Sequence, residues 1–407
     1  MNPYAKTLFV IAAAYLLASC GDNSSGRSVP ERLISAFGGD EVTHYGYIDD
    51  RRYEAPRVFV TNEYFTFGSP DYFSVAVKLA DFDSDGDLDA LMVNGRHWAR
   101  QDLVLFNNGD GRFLTTAPLG EQASGYSPAV VDLNHDGKDD IVIARDRIVS
   151  QRFMGLGNGK FDTGRSVGRA GPTRAVVSAD LDNDGEEDLV FSQRGIASYV
   201  AFGPDFETIV EFGDSEQYVR LAVADIDRDE DLDIVIANLG AEGSAIYLND
   251  GAGIFDQLIR FNPSYGQAVD IAVEDFDGDG RPDVAVARIA ENVIFLNDAD
   301  HTFEKIIVFG FENERSYGID VGDLDRDGDI DIAIANDGVP NTIYINAGDA
   351  TFERHILQDD PNARSYGVTI GDVNGDGFAD LVYANSGSMS RVYLNATEET
   401  AASMLSR

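Results

Sequence analysis

The chain has 407 residues, 71 of them acidic against 31 basic, for a formal net charge of -40. A surplus of that size repels phosphate backbones and anionic lipid headgroups, which argues against nucleic-acid and polyanion binding as the main role. Since 43% of residues are hydrophobic and spread along the whole chain, disorder is a poor reading of the acidity.

The N-terminus carries Lys6, an apolar run from Leu8 to Leu17, and then Ala18-Ser19-Cys20. A basic residue, a short apolar stretch and small residues before a cut site describe a secretory signal too short to span a bilayer as a helix. Cys20 is the single cysteine, so no intrachain disulfide exists. The ending Leu17-Ala18-Ser19-Cys20 resembles the lipobox of bacterial lipoproteins, in which that cysteine is acylated and becomes the new N-terminus. The resemblance implies a signal peptide over 1–19, lipid on Cys20, and membrane attachment through that lipid. Gly21 rather than Asp follows, which by the same analogy favours the outer membrane of a Gram-negative bacterium, on its periplasmic or outer side. Residues 20–44, rich in Gly and Ser at their start, are expected to form a flexible tether.

Beyond the tether a nine-residue acidic segment recurs seven times, starting at Asp81, Asp132, Asp180, Asp225, Asp275, Asp323 and Asp372. The spacing of 45 to 51 residues belongs to a repeat architecture. The sixth repeat shows the unit most clearly. Tyr317 to Val321 alternates like a strand and enters the acidic segment; Ile330 to Ala335 leaves it as a second, apolar strand. Thr342 to Ile345 and Phe352 to Leu357 follow, separated by the turn Asn346-Ala-Gly348. Four short strands per repeat without helical periodicity predict an all-β fold, a seven-bladed β-propeller of four-stranded antiparallel blades over 45–397. The seventh repeat ends after its third strand, Arg391 to Asn395, leaving a polar tail over 398–407. The β-like stretches Arg57 to Val60 and Tyr64 to Phe67 are expected to complete that blade and close the ring, with one strand or two.

The acidic segments follow Asp-x-Asp-x-Asp-Gly-x-x-Asp. Carboxylates at alternate positions of a tight turn converge on one point, as a hard oxygen-seeking cation such as calcium requires. Positions one, three, five and nine are read as side-chain ligands and the position-seven carbonyl as a fifth. The first loop thus offers Asp81, Asp83, Asp85 and Asp89 with the carbonyl of Asp87; the second, Asp132, Asn134, Asp136 and Asp140 with Lys138. The third offers Asp180, Asp182, Asp184 and Asp188 with Glu186; the fourth, Asp225, Asp227, Asp229 and Asp233 with Asp231. The fifth offers Asp275, Asp277, Asp279 and Asp283 with Arg281; the sixth, Asp323, Asp325, Asp327 and Asp331 with Asp329; the seventh, Asp372, Asn374, Asp376 and Asp380 with Phe378. Glycine at position six permits a left-handed backbone. The fourth loop has Glu230 there, so its site is expected to be the weakest of about seven calcium sites. An EF-hand is excluded, because position twelve is Met92 in the first loop and Ile334 in the sixth, both within strands.

The segments Asp323-Leu-Asp-Arg-Asp-Gly-Asp-Ile-Asp331, the following Ile-Ala-Asn336 and Tyr-Ile-Asn346-Ala-Gly348 resemble the integrin-α-like FG-GAP and VCBS repeat proteins over roughly residues 57 to 395. The resemblance implies a seven-bladed propeller with calcium between the first two strands of each blade. It implies no single activity, since such propellers serve as adhesion modules, lectin-like domains and appendages of enzymes.

Antiparallel topology puts all seven acidic loops on one face. The opposite face collects Tyr126, Tyr218, Tyr265, Tyr317 and Tyr366 before the first strands, with Arg174 and Arg220 nearby. After the second strands come Asn94, Arg96, His97 and Trp98, then Arg145, Arg194, Asn238, Arg288, Asn336 and Asn385. Aromatic and hydrogen-bonding groups suit a glycan or a protein loop, and Trp98, Arg96, Tyr317 and Tyr366 are the candidate ligand residues. The competing reading is that the tyrosines pack neighbouring blades together. No histidine cluster, Gly-x-Ser-x-Gly elbow or phosphate-cradling loop is present. The expectation is a non-enzymatic binding or adhesion module, the alternative a calcium-dependent carbohydrate-active enzyme such as a polysaccharide lyase.

Overall fold

The second strand of each repeat explains how the blades stack. In Asp89–Asn94 every residue is buried, yet alternate side chains serve different neighbours. Ala90 and Met92 pack with Val382 and Leu394 of the last repeat, whereas Leu91 and Val93 pack with Ile141 and Ile143 of the second. A strand points successive side chains to opposite faces of its sheet, so a sheet covered on both sides reads as continuously apolar. The apolar runs Ile332 to Ala335 and Val284 to Ala287 have the same cause.

The computed structural model describes residues 47–48, 57–261, 267–357, 363–397 and 400–401, all within one compact unit, His44–Arg407. The signal peptide, Cys20 and the tether lie outside the described residues. The described chain forms a seven-bladed β-propeller of four-stranded antiparallel blades. The sixth blade, Ser316–Gly322, Asp331–Asn336, Thr342–Asn346 and Phe352–Ile356, follows the expected pattern within a residue or two. Seven hydrophobic clusters hold the blades together, one at each blade–blade interface. The first strands contact one another in a closed circle that returns from Ser365–Gly371 to Ser74–Ala80.

Closure uses both N-terminal stretches. Arg57–Val60 pairs antiparallel with Leu394 to Thr397 as the fourth strand of the seventh blade, and Tyr47–Ile48 pairs with its other edge. Thr66–Phe67 pairs with Ser390 and Arg391 further along the same strand. The expected strand from Tyr64 is instead a 3-10 turn over Glu63–Phe65, started by the Asn62 side chain accepting from the Tyr64 N–H at 2.8 Å. The tail is less polar in effect than its composition suggests, because Ala401 is buried in the cluster between the seventh and first blades.

Candidate functional site

Each acidic loop is preorganised by its own backbone. In the first, Asp81 accepts the N–H of Asp85 at 3.1 Å and that of Gly86 at 3.0 Å, while Asp85 accepts the N–H of Asp87 at 3.0 Å. The same three bonds recur in the sixth loop, through Asp323 to Asp327 and Gly328 and through Asp327 to Asp329. Position four is left-handed as well as position six, at Ser84 (φ 64°), His135 (φ 56°), Asn183 (φ 58°), Arg228 (φ 65°) and Arg326 (φ 61°). Glu230, at position six of the fourth loop, is held at φ 76°, a conformation that costs a non-glycine residue about 1 kcal/mol.

Position nine does more than offer an oxygen. Asp89 accepts the N–H of Phe82 at 3.1 Å with one oxygen and that of Asn107 at 2.8 Å with the other, pinning the loop entrance to the end of the third strand. All seven position-nine carboxylates make this double clamp. Asp331, for example, accepts from Leu324 and Asn346, both at 2.7 Å, and Asp380 from Val373 at 3.0 Å and Asn395 at 2.7 Å. All seven are buried. Burial pushes their carboxyls up, with the other loop aspartates adding to the shift against the opposing backbone hydrogen bonds. Asp188 rises to about 6, Asp89, Asp233 and Asp283 to about 7, and Asp331 to about 8.

The donor set fits a metal ion. Oxygens of Asp81, Asp83 and Asp85 lie within 4.8 Å of one another, as do those of Asp225, Asp227 and Asp229 and of Asp275, Asp277 and Asp279. In the third and sixth loops the converging trio is Asp180, Asp182 and Asp188, and Asp323, Asp325 and Asp331. The decisive feature is at position three. One shielded carboxylate oxygen of Asp83, of Asp227 and of Asp277 has no hydrogen-bond partner, a costly arrangement unless a cation meets it. In the second and seventh loops Asn134 and Asn374 accept the position-five N–H, both at 2.9 Å.

Neighbouring loops also touch. Position four of one meets position seven of the next: His135 Nε2 lies 3.4 Å from Glu186, Asn183 donates to Asp231 at 2.8 Å, and the Arg326 guanidinium sits 4.3 Å from the Phe378 ring centroid. Asparagines at the ends of third strands add a longer tie. Asn249 Nδ2 donates to Leu181 of the preceding loop at 2.7 Å, Asn297 to Ile226 at 2.9 Å, Asn346 to Phe276 at 2.8 Å and Asn395 to Leu324 at 2.8 Å. Their recurrence in the sequence was the available signal. Gly155 and Gly203 stand at this position in the second and third blades.

A repeat-built ring with these loops has recognisable relatives. The FG-GAP-like repeat model matches residues 81–143, 225–286, 275–334 and 323–383. This chain belongs to the FG-GAP-like repeat family. Among solved structures, this FG-GAP-like chain is similar to an Agrocybe aegerita lectin described as recognising non-reducing terminal N-acetylglucosamine. That pair shows 18% identity and a TM-score of 0.53 over 72% of this chain and 82% of the lectin chain. It is also similar to a chain from crystals of BBS1N in complex with ARL6DN. The lead-soaked crystal gives 10% identity and a TM-score of 0.58 over 83% of this chain and 96% of that one. The mercury-soaked crystal gives 11% and 0.56 over 84% and 98%. At these identities the likeness is one of fold. No curated protein sequence matches the chain.

On the opposite face the predicted residues separate into two groups. Arg96, Tyr317 and Tyr366 come together around a cavity of about 140 Å³ at the ring axis, which Tyr126, Arg174 and Arg220 also line. The Arg96 guanidinium lies 4.8 Å from the Tyr366 ring centroid and 5.7 Å from that of Tyr317. Arg174 lies 4.3 Å from the Tyr126 centroid and donates to Asp146 at 2.7 Å. His97 reaches the Tyr126 hydroxyl at 2.9 Å, and desolvation together with neighbouring Arg96 lowers its pKa. Trp98 does not join them; it is 64% exposed at the tip of a turn closed by its N–H donating to Gly95 at 2.7 Å.

Other residues assigned to that face turn inward. Tyr218 is wholly buried and bonds the Tyr247 hydroxyl at 2.6 Å, the packing role weighed for the tyrosines. Asn94, Asn238, Asn336 and Asn385 are buried and fasten turns, as when Asn94 donates to Gln101 at 2.7 Å. Arg145 is fully buried with Asp102 at 2.5 Å, and Arg288, also buried, donates to the Glu291 carbonyl at 3.0 Å. Tyr265 lies outside the described residues.

Proposed function

We propose that this propeller is a calcium-loaded, non-enzymatic binding or adhesion module of the cell envelope, holding a glycan or protein ligand on the face opposite its acidic loops. The observation that carries the reading is the division of the disc. Every acidic loop lies at one end of the blades, and a cavity walled by arginine and tyrosine opens at the other. Calcium suits the loops because it takes six to eight oxygen ligands in flexible geometry. Bound there, it would neutralise carboxylates that burial alone makes costly, so its role is structural. Positions one, three and five would hold it with the position-seven carbonyl, and position nine would join through oxygens that already clamp the backbone. The recognition of N-acetylglucosamine by the lectin of similar fold makes a glycan a reasonable ligand class. Attachment to the outer membrane through lipid on Cys20 completes the proposal, supported by the sequence around that cysteine.

The test is a screen of glycans and envelope proteins against the purified chain, in calcium and in chelator, with product analysis of every glycan that binds. Binding without new reducing or unsaturated ends supports the module. Turnover of a bound polysaccharide would replace it with an enzyme, and the absence of any ligand would remove it.

A further inference from the structure

The axial cavity has a sign that the whole protein does not. The net charge is -40, yet Arg96, Arg174, Arg194 and Arg220 all line this one depression. Two carboxylates face them. Asp146 is taken by Arg174 at 2.7 Å and also lies 3.5 Å from His97. Asp270 lies 3.9 Å from Arg220 and accepts the N–H of Ile319 at 3.3 Å. Among the described residues no carboxylate comes within salt-bridge distance of Arg96, whose guanidinium instead lies near the rings of Tyr317 and Tyr366. Arg194 is exposed and donates through Nε to Gln217 at 2.9 Å. The cavity therefore holds two guanidinium groups in excess of its acids.

The aromatic setting decides what those groups can do. A guanidinium held beside aromatic rings rather than beside a carboxylate keeps its fork of N–H donors free of a competing acid, and that fork matches two oxygens of one anion. Arg96 and Arg174 lie against the rings of Tyr317, Tyr366 and Tyr126, which puts positive charge where a neutral sugar would stack. Strands of six or seven residues place the acidic loops about 20 Å away, beyond the Debye length of about 8 Å at physiological salt. The local arginines thus outweigh the distant acids. At about 140 Å³ the cavity is smaller than the roughly 300–1,000 Å³ of drug-sized pockets and suits one functional group or one terminal residue.

We propose that the axial cavity is an oxyanion site that takes the carboxylate, sulfate or phosphate group of an acidic ligand, with Arg96 and Arg194 as its principal partners. This rests on the reading of that face as the ligand face, and narrows it from glycans and proteins at large to acidic ones.

The experiment titrates the calcium-loaded chain by calorimetry with sodium sulfate, with glucuronate and with glucose, at constant ionic strength. Glucuronate binding with none by glucose is the expected result; sulfate binding as well would identify the bare oxyanion as sufficient. Arg96→Gln and Arg194→Gln should each weaken binding at least fivefold, and the exposed Arg194 keeps the test open should the Arg96 variant fail to fold. Equal binding of glucose and glucuronate, no binding of either anion, or unchanged affinity in both variants would overturn the proposal. A neutral glycan found in the wider screen, with both anions silent here, would remove the oxyanion site and leave the binding module standing.

Discussion

The side-chain amide of Asn107 donates to the carbonyl of Val373, 266 residues further along the chain, at 2.6 Å. The same amide reaches Leu88 at 3.0 Å, and the Asn107 backbone N–H donates to Asp89 at 2.8 Å. One side chain therefore ties the first acidic loop to the seventh across the seam where the ring closes. Leucine at this position would leave the carbonyl of Val373 buried without its donor. Asn107→Leu is expected to lower unfolding free energy by about 1–3 kcal/mol, read by urea denaturation in calcium.

The raised carboxyls give the metal-free protein a distinctive pH response. Aspartates held at about 6 to 8 in the fold, against 3.8 ordinarily, keep protons that the unfolded chain has released. The native state then binds more protons between about pH 4 and 8, so its stability falls as pH rises through that window. Calcium needs the deprotonated form, so the stabilisation it provides grows over the same range. Melting in EDTA should shift downward from pH 5 to pH 8, and the gain from millimolar calcium should widen; the opposite trend in EDTA would contradict the assignment.

Positions three and nine should respond differently to the same chemical change. Asp83 carries an oxygen with no hydrogen-bond partner, and burial with its acidic neighbours raises its pKa. Asp83→Asn should therefore be neutral or stabilising in chelator and destabilising in calcium. Asp331 holds two backbone N–H groups, whereas an asparagine offers a single acceptor. Asp331→Asn should cost about 1–3 kcal/mol with or without metal, measured by thermal melts in both buffers.

Glu230 sets the fourth loop apart. Its φ of 76° suits glycine, so Glu230→Gly should relieve about 1 kcal/mol of strain and tighten the weakest calcium step several-fold. A titration in which that step is unchanged, or in which all sites of the unmodified chain are already equivalent, would refute the ranking.

Trp98 and Cys20 supply tests outside the ring. With 64% of its surface exposed, Trp98→Ala should leave the melting temperature within a degree or two while weakening any ligand that spreads beyond the axial cavity. Cys20→Ala should move the protein from the membrane to the soluble fraction of fractionated cells.

Much of the architecture was legible because the repeat is local. Turn residues and two-residue alternation marked the strands around Asp323, and the spacing of seven acidic loops gave the blade count. Residues whose role depends on a distant partner could not be read that way. Nothing near Asn107 names Val373, and nothing near His135 names Glu186; both contacts exist because closing the ring sets adjacent loops side by side. Arg145 misled for a related reason, whereas Tyr218 took the packing role already weighed for it. A polar residue after a strand looks exposed in sequence, but in a propeller the next blade covers it. Arg96, Tyr317 and Tyr366 did converge, since first strands and the turns after second strands meet at the axis.

Metal content and unfolding, measured together on the purified chain, test the central claim most directly. Mass spectrometry of the native protein should find several calcium ions per chain, and EDTA should lower the melting temperature by many degrees, restored by millimolar calcium. A chain that carries no divalent metal and melts identically in EDTA and in calcium would contradict the account.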